Sequence, residues 1–453
     1  MTMQATRGPA LLSDGTPVGS LVDREARRVA ARVFTDPELY ELEQRELFGR
    51  SWIAVGHVSE IPEPGDFVSR YIGEDPVIVS RDRDGSIRIL LNVCSHRAMG
   101  VCRTEMGNTR YFTCPYHGWR YDLNGRLVSV PAERSMYDDR LDRSRFTLQQ
   151  ARVDVCGGII FGNWDLEGPS LAEYLGPAAL YLRLSFERTP GGLVVAGPPA
   201  RCTIEANWKL AADQFQGDAY HTAMLHRSMV EAGYVRQDPE AILSGINIGT
   251  VGGHHIRLLD FRNATQAGGA EGDEPLEKLS GITPELAREA RRHLSPEDAA
   301  LLSGLPPSTG NVFPNVFWFT TRVPPADGGE NLGILSFRIL VPRGPQHVEQ
   351  LSWAMYERDA PPEVQRAVAR NLVQTFGTGG IWEQDDTEAW VAIQRALKGA
   401  QGRNRWLTYE ATSPPHTDDL PGMTFRGVAR DDCQWLAWQR YFDVMSGDGG
   451  HLP

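Results

Sequence analysis

Asn92 to Gly125 reads NVCSHRAMGVCRTEMGNTRYFTCPYHGWRYDLNG. One arrangement occurs twice in it, as Cys94-Ser95-His96 and as Cys114-Pro115-Tyr116-His117, with residues 97–113 between them. Each pair follows or lies between β-like runs, so each can occupy the tip of a hairpin. Six cysteines in 453 residues are too few for a disulfide scaffold, and disulfides would not explain the neighbouring histidines. The pattern predicts metal ligation by Cys94, His96, Cys114 and His117.

Two thiolates on one iron and two neutral imidazoles on a second are what a Rieske [2Fe-2S] centre requires, and such a centre has a higher potential than an all-thiolate cluster. A structural zinc accepts the same four ligands and stays as the competing reading. Zinc sites commonly take Cys with Cys and His with His along the chain, whereas here each loop supplies one of each. Gly100, Gly107 and Gly118 are expected to let the loops turn tightly. Tyr116 and Trp119 either shield the centre or pack as core. Cys102, Cys156, Cys202 and Cys433 have no comparable histidine and read as small buried hydrophobes.

Upstream, Asp36–Gly49 (DPELYELEQRELFG) predicts a short helix with Leu39, Leu42 and Leu47 at roughly helical spacing. From Asp66 to about Trp164, short runs such as PVIVS and SIRILLN, joined across Asp84-Gly85, predict a small all-β unit. Downstream, GGLVVAGPPARCTIEAN reads as strand pairs, followed by a helical stretch from about Trp208 to Val230. A polar loop is expected over Ala264–Pro307, then antiparallel strands over Asn311–Met355. A helix over Pro362–Phe376 stops at Gly377–Gly380, a second starts near Asp385, and the tail from Arg403 carries no readable motif.

The fold class is α+β: a small all-β domain and a larger one with an antiparallel sheet and helices. Expected boundaries are 1–40 for an N-terminal arm and helix packing on the larger domain, 41–165 for the small domain and 166–453 for the larger. A net charge of −12, from 46 Lys+Arg and 58 Asp+Glu, with no basic run, argues against nucleic acid as a partner. Met1–Ser20 lacks the apolar core of a secretory signal, and no stretch has the ~18 apolar residues that span a bilayer. The expectation is a cytoplasmic protein with no membrane partner.

Asn207–His226, NWKLAADQFQGDAYHTAMLH, places His221 and His226 five residues apart. Two histidines and a carboxylate on one face of an iron leave positions open for dioxygen and substrate. On an ideal helix five steps of ~100° put two side chains about 140° apart, so the helix must break, bulge or end between Tyr220 and His226. Asp218 and His221, three apart, would share a helical face. For the carboxylate, Ile381–Trp390 (IWEQDDTEAW) offers Glu383, Asp385, Asp386 and Glu388. All four also suit a helix first turn, and the residues alone leave the choice open.

Over the two cysteine loops and the Trp-Glu-x-Asp-Asp order at Trp382–Asp386, from about residue 36 to about 395, the sequence resembles the α subunits of Rieske ring-hydroxylating dioxygenases. The resemblance implies a helix-grip (START-like) catalytic domain, a [2Fe-2S] cluster, and a mononuclear Fe(II) on His221, His226 and Asp386, with Asp385 as a cap. It implies that Asp218 links His221 to the cluster ligand His117 of a neighbouring subunit, in a C3 homotrimer with a small β subunit (α3β3). Gln214, Phe215, Thr222, Phe376 and Trp382 become pocket candidates.

The implied reaction takes electrons from NAD(P)H through a reductase or ferredoxin and adds dioxygen to an aromatic substrate, most simply as cis-dihydroxylation. A Rieske monooxygenase acting on an aromatic acid is the alternative, and Arg227, Arg257, Arg322 and Arg338 are the candidates to pair a carboxylate. His254 and His255 read as ordinary strand residues. A non-catalytic Rieske electron carrier or a zinc-stabilised binding module would be a different class of protein. The sequence departs from the family at Ala98, where glycine is common, and at Asp213-Gln214, which replaces Glu-Asn.

Overall fold

Asp84-Gly85 turns the chain between strands Asp75–Arg81 and Ile87–Leu91, with Gly85 at φ +85°, a backbone that glycine adopts without a Cβ clash. These strands are the start of a four-stranded antiparallel sheet, completed by Asp66–Ile72 and Met106–Asn108. A three-stranded sheet joins Arg152–Cys156, Ile159–Asn163 and Ile53–His57, and another joins Leu127–Ser129, Arg120–Tyr121 and Phe112–Thr113. Cys94, Cys114, Trp119 and Tyr121 share a buried cluster with Phe67, Ile78, Leu90 and Phe112. The loops that carry the four predicted ligands thus rest on core, at ~1.5–3 kcal/mol for each large apolar side chain removed from water.

The computed structural model describes residues 10–138, 140–231, 245–261, 282–323 and 332–447. It divides into one unit spanning Phe48–Leu171 and a second that combines Met1–Leu47 with Ala172–Pro453. The expected helix near residue 36 is Pro37–Glu43, capped by Asp36, which accepts from the Glu38 and Leu39 backbone N–H groups. Its last residue, Glu43, is buried and accepts from Lys209 Nζ, Tyr441 Oη and Trp208 Nε1.

The second unit is built on a nine-stranded antiparallel sheet. Strands Val316–Val323, Leu332–Pro342 and Val348–Glu357 lie side by side within it. Leu193–Val195 and Ala200–Ile204 both pair with Val348–Glu357, so they are successive partners of one strand and not of each other. Phe317 faces Arg338 and Phe319 faces Ser336 across the sheet; being two residues apart, the phenylalanines project from the same face.

Several expectations need correction. The helical stretch from Trp208 is three pieces, Trp208–Phe215, Thr222–Leu225 and Arg227–Glu231, because Gly217 at φ +100° turns the backbone out of the helix. Of the polar loop expected over 264–307, residues 264–281 lie outside the described residues, but Pro284–His293 and Pro296–Gly304 are helices. Thr283 and Ser295 cap them from the preceding position, each with proline in the first turn, signals that the polar composition masked.

The tail holds the helix Asp432–Ser446, which buries Trp435, Trp438, Tyr441, Phe442 and Met445, a helical period legible in the sequence. Of the four unassigned cysteines only Cys433 is buried; Cys102, Cys156 and Cys202 are half-buried. Among the described residues no helix is long and apolar enough to cross a membrane.

Candidate metal centres

The two cysteine loops make the same turn. Cys94 O accepts from Ala98 N and Cys114 O accepts from Gly118 N, at 2.9 and 3.0 Å. The fourth residue after each cysteine is left-handed, Ala98 at φ +58° and Gly118 at φ +73°. Gly100 and Gly107 are not among the left-handed residues, so of the three expected turn glycines only Gly118 has that role; its counterpart is the alanine. A Cβ on Gly118 would meet Pro131 Cγ at 2.8 Å.

The turns bring His96 Nδ1 to 3.1 Å from His117 Nδ1. Tyr121 Oη lies 3.2 Å from Cys94 Sγ, and burial, followed by the contact with Cys94, raises its pKa. Burial also raises the Cys114 thiol and lowers His96. Trp119 stacks on His96 with centroids 4.7 Å apart and planes 7° apart, whereas Tyr116 is 61 % exposed beside His117. The Cys114 thiol meets the Cys94 thiol, as His96 Nδ1 meets His117 Nδ1. Cysteines and histidines set apart as two pairs fit a cluster with two irons.

In the second unit, His221, His226 and Asp386 place one donor atom each within 4.8 Å of one another. His221 is the N-cap and His226 the C-cap of the single turn Thr222–Leu225, which is how a five-residue spacing lets both rings face one point. Asp386 comes from the first turn of helix Glu383–Leu397. Its Oδ1 lies 3.7 Å from His221 Nε2 and 3.4 Å from His226 Nε2. Burial would push the Asp386 carboxyl up, but His226 and His221 outweigh it and hold it below the usual range. Burial likewise opposes the His226 imidazolium, and Asp386 and Asp385 outweigh it and raise its pKa. The donor set is two imidazoles and an ionised carboxylate, which suits a divalent iron.

Each imidazole has a second carboxylate on its far nitrogen. Asp385 Oδ2 lies 3.2 Å from His226 Nδ1; the cap role expected for Asp385 is therefore replaced by a bond to a histidine, and Trp382 is the residue at the N-cap. Asp218 Oδ2 lies 3.1 Å from His221 Nδ1. Asp218 Oδ1 accepts from the Tyr220 and His221 backbone N–H groups, so Asp218 closes a turn ahead of His221 instead of sharing a helical face with it. His221 outweighs burial and lowers the Asp218 pKa.

Of the pocket candidates, Phe215 stacks on Phe317 at 4.0 Å, Phe376 stacks on Trp382 at 5.5 Å, and Trp382 meets His226 edge-on at 5.1 Å. Phe319 joins the two groups, 5.9 Å from Phe317 and 4.7 Å from Phe376. In the sequence Phe317 and Phe319 stand only as residues of an alternating strand; the signal for them is two aromatics at the period of two. Thr222 is half-exposed in the turn between the histidines, and Gln214 bonds to Asp386. Asp213 accepts from Trp438 Nε1 at 2.7 Å, Tyr409 Oη at 3.1 Å and Gln434 Nε2 at 3.4 Å, and burial pushes its pKa up to about 7.

Three of the four arginine candidates are engaged with other groups of the chain. Arg338 is buried and makes a two-point contact with Glu383, at 3.0 and 2.6 Å. Arg257 donates to Gly217 O and burial lowers its pKa to about 10. Arg227 pairs with Glu231 on the surface and Arg322 is exposed. His254 and His255 are both buried and held neutral by burial. Only His255 lies within strand His255–Leu258; His254, just before it, is bonded to Tyr174 O and to the Phe313 N–H.

Residues 51–149 match the Rieske [2Fe-2S] domain, and residues 193–417 match the catalytic domain of the ring-hydroxylating α subunit. The chain is 36 % identical to the biphenyl dioxygenase α subunit of Metapseudomonas furukawaii, over 89 % of this chain and 88 % of the relative. It is 34 % identical to the benzene 1,2-dioxygenase α subunit of Pseudomonas putida, over 95 % and 93 %. Naphthalene 1,2-dioxygenase from Rhodococcus sp., solved with indole bound, superposes with a TM-score of 0.86 at 36 % identity, covering 93 % of this chain and 95 % of that one.

Proposed function

This chain belongs to the α subunits of ring-hydroxylating dioxygenases, which carry a Rieske [2Fe-2S] cluster and a mononuclear iron, and we propose that it dihydroxylates a neutral arene at an iron held by His221, His226 and Asp386. The observation that carries this reading is the meeting of three ionisable donor atoms within 4.8 Å beside a wall of aromatic rings that reaches His226 through Trp382. When bound, the iron supplies the place where dioxygen and electrons meet. The chain supplies the rest. Trp382, Phe376, Phe319, Phe317 and Phe215 offer faces and edges to an aromatic ring, and Asp385 and Asp218 orient the two imidazoles through their outer nitrogens.

The engaged arginines support a neutral substrate. An aromatic carboxylate needs a cation to offset its desolvation, and Arg338, Arg257 and Arg227 are each already bound to an acceptor of this chain. Cys94, His96, Cys114 and His117 would hold the cluster, which would supply one-electron chemistry with a ferredoxin or an NAD(P)H-dependent reductase as donor. Asp218 would connect His221 to the cluster ligand His117 of a second copy in a head-to-tail ring, the α3 layer of an α3β3 assembly. Tyr116 beside the cluster and Tyr220 beside Asp218, 61 % and 78 % exposed, are apolar surface that such a contact would cover. Incubation with a reductase system and a panel of neutral arenes and aromatic acids tests the substrate class. Dihydrodiols from the neutral members are expected, and turnover restricted to the acids would overturn it.

A further inference from the structure

The amide of Gln214 lies between two residues of one helix. Trp390 Nε1 donates to Gln214 Oε1 at 2.7 Å, and Gln214 Nε2 donates to Asp386 Oδ1 at 2.9 Å. The direction of this chain of bonds is fixed by chemistry: an indole N–H can only donate, so the amide oxygen must face Trp390 and the NH2 must face the carboxylate. Trp390 is buried and four residues after Asp386, on the same side of helix Glu383–Leu397. Gln214 comes from helix Trp208–Phe215 and bridges the two. The oxygen it holds is the one both imidazoles face, and the same amide nitrogen is 3.4 Å from His221 Nε2.

We propose that Gln214, locked by Trp390, is a positioning residue that aims Asp386 Oδ1 at the iron and sets the affinity of the site for it. The inference rests on the reading that His221, His226 and Asp386 are the ligands. An aspartate on the first turn of a helix has free rotation about its side chain unless something holds it, and here the amide does so from a different element. Asparagine, one methylene shorter, can keep one of the two bonds but not both, so the residue that stands here in place of the family's usual one changes how the carboxylate is held.

The test uses the full chain with its cluster intact and the mononuclear site stripped of metal, titrated with Fe(II) under anaerobic conditions. Gln214→Leu should weaken binding by about 10- to 100-fold, the range for lost partners of metal-bound side chains, and should alter the near-infrared magnetic circular dichroism of bound Fe(II) while cluster absorbance is unchanged. Gln214→Asn should fall between. Trp390→Phe should weaken binding less, and in combination with Gln214→Leu should add nothing, since the two act as one unit. Wild-type affinity and spectrum in Gln214→Leu, or additive losses in the double variant, would overturn the proposal. Asp386→Ala is the control for the underlying reading: loss of iron there with retention in Gln214→Leu sinks the positioning role alone, whereas iron retained in Asp386→Ala sinks both.

Discussion

Asp385 Oδ2 lies 3.2 Å from His226 Nδ1, while Asp386 Oδ1 lies 3.4 Å from Nε2 of the same ring. Two adjacent carboxylates thus hold opposite nitrogens of one imidazole. Asp386→Ala, His221→Ala and His226→Ala should each abolish hydroxylation and bound iron with the cluster spectrum intact. Asp385→Ala removes only the outer partner and should reduce iron affinity by about 10- to 100-fold. Iron content per subunit after dialysis at graded free metal separates these outcomes; equal losses at Asp385 and Asp386 would contradict the division of roles.

Asp218 touches His221 by both backbone and ring. Asp218→Asn keeps an acceptor for the Tyr220 and His221 backbone N–H groups but removes the charge. Both metals should remain, and turnover should fall by orders of magnitude because electrons no longer pass from cluster to iron at a useful rate. Single-turnover oxidation of the reduced cluster, with substrate and dioxygen present, reads this step directly. Wild-type speed in the variant would refute the role.

Ala98 occupies the left-handed position that Gly118 fills in the twin loop. A Cβ there costs ~1–2 kcal/mol, part of which the greater freedom of unfolded glycine cancels. Ala98→Gly should therefore stabilise the cluster unit by about 0.5–1 kcal/mol, and Gly118→Ala should destabilise it by more, as its Cβ also meets Pro131. Thermal loss of the visible cluster band is the measurement, and a lower midpoint in Ala98→Gly would show that the turn is unstrained.

Burial pushes the Asp213 carboxyl up to a pKa of about 7, well above the ordinary carboxylate range. The folded protein therefore keeps a proton that the unfolded chain releases above pH ~4. Stability from this group is full below pH ~4, declines as pH rises toward 7, and is constant above, at roughly 1.4 kcal/mol per pH unit over the window. Asp213→Asn, which cannot ionise, should lack this decline, so its midpoint relative to wild type should rise between pH 4 and 7. A difference independent of pH would mean that Asp213 is ionised in the folded state.

The sequence by itself determined which residue types can serve as metal ligands and the local geometry that such ligation would demand. Cys94, His96, Cys114 and His117 are near neighbours in the chain, and the hairpin at Asp84-Gly85 and the ending of the helix by His226 follow from turn chemistry and helix period, both properties of a few consecutive residues. The tertiary structure decided which groups these residues meet. Asp385 and Asp386 read alike as first-turn acids, yet the ~100° between successive helix residues sends one to His226 Nδ1 and the other to the point that both imidazoles face. Trp390 reaches Gln214, and Trp438 with Tyr409 reaches Asp213 from the tail. Phe317 and Phe319 join Phe376 and Trp382 only because a strand packs against the end of a helix. Ligand identity is written in side-chain chemistry at short range, whereas hydrogen-bond partners and aromatic neighbours far apart in the chain are created by packing.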